Sequence, residues 1–98
     1  MKKIEEIKEI LTKHKEELRE RFKVKEIGVF GSYVKGKQKK KGSDIDILVE
    51  FEEPIGLFKF IDLEEYLSNL LGVKVDLVSK KALKPRIGEH ILREVIYI

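Results

Sequence analysis

Asp44 and Asp46 stand two residues apart at the head of the apolar run Ile45, Ile47, Leu48 and Val49. A third acid, Asp76, interrupts another such run between Val75 and Leu77. Side chains at i and i+2 of a strand share a face, so Asp44 and Asp46 are neighbours with Cα atoms ~6.6 Å apart. If the strand holding Asp76 pairs beside the first, all three carboxylates gather within ~4.8 Å of one another's strands. Such acids repel, and unpaired charges in a partly buried setting are costly. Oxygen-only ligands of this kind suit Mg²⁺, which takes one or two carboxylates together with substrate phosphates. Taken singly, each acid has a plainer reading. Gly42-Ser43-Asp44 is good turn chemistry, Asp46 can face solvent on a half-exposed strand, and Asp76 can pair with a lysine.

The company of the acids favours the chemical reading. Gly31-Ser32 lies at the exit of the preceding strand. Glycine there allows close approach of a ligand to the backbone. Ser32 can cap a short helical turn whose N–H groups attract an anion. On its own this pair is an ordinary strand-to-helix cap. Placed before an acid pair and a third acid, it puts a phosphate cradle beside a cation site.

These residues need elements to hold them. Ile4, Ile7, Leu11, Leu18 and Phe22 recur near the helical period and predict an amphipathic helix over about 3–22. A β-branched run predicts a strand over 24–30, ended by Gly31. Residues 31–43 hold three glycines and five lysines, which predicts a turn and an exposed loop. A second strand follows over 44–51, then a loop with Pro54 and Gly56. A helix over 57–71 is ended by Gly72. A third strand spans 73–78. After a loop with Pro85 comes a third helix, with Ile91 and Leu92 on one side, and a short strand over 95–98. Pro85 suits the first turn of that helix. The order α-β-β-α-β-α-β predicts an α+β domain: a small mixed sheet of about four strands with helices packed on one face.

The bulk numbers agree. The 98 residues fit one domain over 1–98, with 42% hydrophobic and 40% charged residues. That is a globular composition, not a disordered one. Cysteine is absent, which excludes disulfides and thiolate metal sites. No apolar run is long enough for a membrane span, and MKKIEEIKEI is not a signal peptide, so the expectation is a cytoplasmic protein. Abundant Lys and Glu, with Gln38 and Asn69 the single amides of each type, suit a thermophile. The net charge of +3 does not point to nucleic acid. The lysines at 35, 37, 39, 40 and 41 are concentrated in one loop, which most simply is solvated. His14 and His90 have no partner at ligand spacing and read as structural or surface residues.

Gly31-Ser32, Gly36, Ser43-Asp44-Ile45-Asp46 entering an apolar strand, and Asp76 within VKVDLVS together resemble the nucleotidyltransferase superfamily that includes DNA polymerase beta. More narrowly, the chain is similar over nearly its whole length to the minimal nucleotidyltransferases. The resemblance implies that Gly31 and Ser32, with Ser43 and Lys35 nearby, hold a nucleoside triphosphate. It implies that Asp44 and Asp46 bind two Mg²⁺ ions and that Asp76 completes the site activating the attacking hydroxyl. Relatives often carry an arginine a few residues after Gly-Ser, where Lys35 stands here. Lysine offers a point charge instead of a planar fork.

The family is often paired with a HEPN-domain toxin, and some members transfer AMP from ATP to a tyrosine of that partner. The resemblance therefore implies a Mg²⁺-dependent protein adenylyltransferase acting as antitoxin. The alternative is a non-catalytic antitoxin that works by complex formation; a nucleic-acid-binding module is a weaker third reading. The helix over 57–71 has an apolar stripe wider than one core face needs. Any part the sheet leaves uncovered would be a surface for the partner or for a second copy.

Overall fold

The computed structural model describes residues 3–31, 34 and 44–98. Ser32, Lys35, Ser43 and the lysines at 37 and 39–41 lie outside the described residues.

The first helical stretch is two helices, α1 (Ile4–Lys13) and α2 (Lys15–Phe22). A single helix over 3–22 was expected from the periodicity. The break falls at His14, whose φ of −105° and ψ of 7° leave the helical region. Its ring Nδ1 donates to the Ile10 carbonyl at 2.9 Å, supplying a partner at the interrupted ladder. Ile7 and Leu11 of α1 and Leu18 and Phe22 of α2 enter the core, so the stripe survives the break. Lys23 closes α2 in the left-handed region at φ 60°.

Four strands follow: β1 (Val24–Phe30), β2 (Ile45–Phe51), β3 (Val75–Ser79) and β4 (Ile96–Tyr97). They form one mixed sheet in the order β3-β2-β1-β4. β1 is antiparallel to β2 and β4, while β2 and β3 are parallel. A parallel pair needs a crossover. Helix α3 (Leu57–Leu71) supplies it and ends at Gly72, φ 69°. A one-turn 3₁₀ segment at Lys80–Ala82 then leads to α4 (Pro85–Glu94), with proline in its first turn.

Core and catalytic-type residues divide by the pleat. Ile45, Ile47 and Val49 of β2 are fully buried with Ile27 and Val29 of β1, Leu63, Leu67 and Leu71 of α3, and the α1 and α2 residues above. The helices α1, α2 and α3 thus share one face of the sheet. A register irregularity between Val24 and Glu26 lets both Val24 and Ile27 reach this core, the effect of a β-bulge. On the other face Val95 lies over Gly28, with Cγ2 2.6 Å from the position of a Cβ there. Among the described residues no polar or charged group is fully buried, and no helix is long and apolar enough to cross a membrane.

Candidate active site

Register brings the predicted acids together. In the two ladders Phe30 pairs with Asp46 and Asp46 pairs with Asp76. Asp46 therefore sits in the middle strand with Asp76 beside it on β3, and Asp44 precedes β2 by one residue. Asp44 and Asp46 are half-buried and Asp76 is exposed. The alternation of β2 explains the placement. Ile45 and Ile47 occupy the helix-covered face, so Asp46 must lie on the opposite one.

The electrostatics mark Asp46 as the strained member. Burial pushes its carboxyl above the usual range. The charges of Asp76 and Asp44 push it further, and a side-chain hydrogen bond with Asp76 acts in the same direction. Like charges at close range disfavour the ionised form of a carboxyl in the absence of a cation.

Gly31 closes the other side. Its φ is +78°, a conformation that disfavours side chains. A Cβ placed there would lie 3.1 Å from Asp46 Cγ and closer still to Oδ2. Space and backbone angle thus both select glycine beside the carboxylate. The Gly31 carbonyl accepts from the Val34 N–H at 3.1 Å, so the chain turns at the strand exit as expected. Gly31, Asp44, Asp46 and Asp76 are brought to one end of one face. Ser32, Lys35 and Ser43 fall outside the description.

Among the described residues no group of three or more His, Cys, Asp or Glu side chains is arranged to hold a metal ion by itself. The carboxylates instead form an open edge. That geometry suits a hard cation completing its shell from substrate oxygens and water. The crowded carboxylates and the glycine-walled approach fit such an ion; a closed structural site would not leave that opening.

His14 bonds backbone, as described, and His90 Nε2 lies 3.1 Å from Glu94 Oε1 one turn along α4. Neither histidine joins the acids. Sequence reasoning missed two residues near the site. Glu64 Oε2 accepts from the Leu77 N–H and Ser68 Oγ from the Val75 N–H, each at 3.0 Å. Their i, i+4 spacing on α3 was a visible signal, but it did not name the strand they face.

A family model described as a nucleotidyltransferase domain matches residues 11–98. A protein adenylyltransferase, MntA, of Thermococcus cleftensis is 63% identical over 95 residues, covering 97% of this chain and 95% of its own. A solved minimal nucleotidyltransferase superposes with a TM-score of 0.74 at 37% identity, covering 92% of this chain and 93% of its own. A toxin–antitoxin complex crystallised with AMP-PNP contains a similar chain at 28% identity and TM-score 0.73, with coverage of 88% and 69%.

Proposed function

Because this chain belongs to the nucleotidyltransferase family, we propose that it is a Mg²⁺-dependent protein adenylyltransferase. It moves AMP from ATP to a hydroxyl of a HEPN-type toxin and so acts as that toxin's antitoxin. The observation that carries this reading is the packing of Gly31 against Asp46, with Asp46 register-paired to Asp76 on the next strand. The names of similar proteins, an adenylyltransferase and a toxin–antitoxin complex with an ATP analogue, support the choice of nucleotide and partner.

This reading assigns the following roles. Gly31 gives the triphosphate an approach that any side chain would block. Asp44, Asp46 and Asp76 would hold the cations, which supply charge neutralisation for the attacking and leaving oxygens of an in-line displacement. Asp76, the exposed acid at the sheet edge, is the one this reading assigns to the incoming hydroxyl. The acceptor oxygen bonds to the α-phosphorus, the bond from that phosphorus to the β-bridging oxygen breaks, and pyrophosphate leaves. The hydroxyl proton passes to solvent or to a carboxylate of the cluster.

A second reading has its own observation. Leu57, Phe58 and Ile61 of α3 are 70%, 82% and 46% exposed. They lead from a groove of about 330 Å³ lined by Phe51, Pro54, Ile55 and Phe60. This patch follows the C-terminal end of β2, whereas the acids lie at its N-terminal end. Contiguous exposed apolar surface marks an interaction site, so binding alone could neutralise a partner, and self-association through the same patch is a further use of it. Incubation with ATP labelled at the α-phosphate, Mg²⁺ and the toxin separates the readings. Wild-type protein labels the toxin; Asp44→Ala and Asp46→Ala do not. If both variants still protect cells fully, complex formation is the function and transfer is incidental.

A further inference from the structure

We propose that Glu64 and Ser68 are positioning residues that hold Asp76 in place from outside the sheet. This rests on the transferase reading above and assigns it two residues on a helix otherwise devoted to the core.

β3 is an edge strand of five residues, paired in parallel with β2 alone. Parallel pairing is slightly the weaker kind per residue, and an edge leaves alternate backbone groups without a strand partner. In β3 the outward N–H groups on either side of Asp76 belong to its two neighbours, Val75 and Leu77. Both are taken by α3: Val75 N–H by Ser68 Oγ and Leu77 N–H by Glu64 Oε2, each at 3.0 Å. Ser68 Oγ also donates to the Glu64 carbonyl at 2.9 Å, which fixes the hydroxyl as an acceptor toward the strand. The clasp therefore brackets Asp76 on both sides.

Edge protection alone would be served by a lysine or proline on the strand. A pair of acceptors spaced to meet two successive outward N–H groups does more: it sets the position of β3 along its own axis. A slip of one residue would turn Asp76 to the helix-covered face and bring Val75 or Leu77 opposite Asp46. The bond to Glu64 is charge-assisted and so stronger than a neutral one. It comes from a half-buried carboxylate, held by a helix whose Leu63, Leu67 and Leu71 are fully buried. The third acid is thus tied to the rigid core and not only to its neighbour in the sheet.

The test compares Glu64→Ala, Glu64→Gln, Ser68→Ala and Asp76→Asn in the full chain. The first readout is amide hydrogen exchange. Glu64→Ala should speed exchange at Leu77 at least tenfold and leave Ile47 unchanged. The second is Mn²⁺ affinity with a non-hydrolysable ATP analogue, by electron paramagnetic resonance. It should weaken about 10- to 100-fold, the usual cost of losing a support behind a ligand. The third is AMP transfer, where kcat should fall while KM for ATP holds. Glu64→Gln, whose amide oxygen still accepts, should restore most of each. In an Asp76→Asn background, Glu64→Ala should add nothing further to the metal effect.

The proposal is overturned if Leu77 exchanges faster yet Mn²⁺ affinity and kcat are unchanged, for the clasp then only guards an edge. It is equally overturned if Glu64→Ala weakens Mn²⁺ as much in the Asp76→Asn background as in wild type. Should wild type bind Mn²⁺ but transfer no AMP, the transferase reading fails, while exchange and Mn²⁺ affinity still decide the role of the clasp. If Glu64→Ala does not fold, Ser68→Ala, which removes the other acceptor of the clasp, carries the same comparison.

Discussion

The two faces of β2 are built from adjacent residues and obey opposite rules. Ile45, Ile47 and Val49 are fully buried against helices and stabilise the domain by removing apolar surface from water. Asp46 and Glu50, one step along the pleat, lie on the other face with the buried Leu48 between them, and Asp46 is held beside two like charges. The helix-covered face contributes stability, and on the other the position of Asp46 consumes some of it. A strand anchored on one side by a close-packed core can tolerate repulsion on the other, and that is where chemistry needing clustered acids can be placed.

The sharpest break in this comparison is Asp46→Asn. It should lower AMP transfer by about 10²- to 10³-fold or more, the scale of losing one group that stabilises developing charge. Labelling of the toxin with α-phosphate-labelled ATP measures it. On the opposite face, Ile47→Ala should cost about 2–5 kcal/mol of folding stability through the cavity it leaves. Urea denaturation reads that loss, while kcat per folded molecule should stay at the wild-type value. If Ile47→Ala instead reduced kcat without changing stability, the two faces would not be separable in the way described.

Gly31→Ala should have a smaller effect on stability, about 1–2 kcal/mol for a side chain forced into a left-handed conformation. Its larger consequence is local, since the new methyl meets the Asp46 carboxylate. Nucleotide affinity, followed by fluorescence of a labelled ATP analogue, should fall more than the melting temperature suggests. Retained affinity would mean that the triphosphate does not approach over Gly31.

Much of this was legible in the sequence because it depends on period. A repeat of two put Asp46 opposite Ile45 and Ile47. That Asp76 joins Asp46 was legible only as a condition, that the strands of the two pair side by side, and the parallel β2–β3 ladder meets it. Gly72 marked the end of α3 and Pro85 the start of α4. What could not be read depends on three-dimensional fit. The break at His14 is invisible to periodicity, since the apolar stripe continues through it. The apolar stripe of α3 was visibly too wide. Only packing showed that Leu63, Leu67 and Leu71 are the buried part, with Leu57, Phe58 and Ile61 left outside. The clasp from Glu64 and Ser68 depends on the rotation of α3 against an edge strand. At the site itself, spacing supplied Gly31, Asp44, Asp46 and Asp76; the closeness of Gly31 to the Asp46 carboxylate needed coordinates.

The smallest effect tests the comparison most directly, because it asks whether the acid face really opposes folding. In the metal-free protein the folded state holds a proton on Asp46 more tightly than the unfolded chain does. Folding stability should then decline as pH rises from the ordinary aspartate value of about 3.9 up through the raised folded value, with the penalty fully present above it. Asp46→Asn removes that titration. It should flatten this part of the stability–pH curve and, at neutral pH without metal, raise the melting temperature by a small amount. Adding Mg²⁺ with an ATP analogue should stabilise wild type by mass action and the variant much less. A variant that is inactive yet more stable than its parent is the expected signature of a residue kept for chemistry at the expense of the fold. If Asp46→Asn instead melts lower than wild type in the absence of metal, the carboxylate is a structural partner of Asp76, and the opposition between the two faces of β2 does not hold.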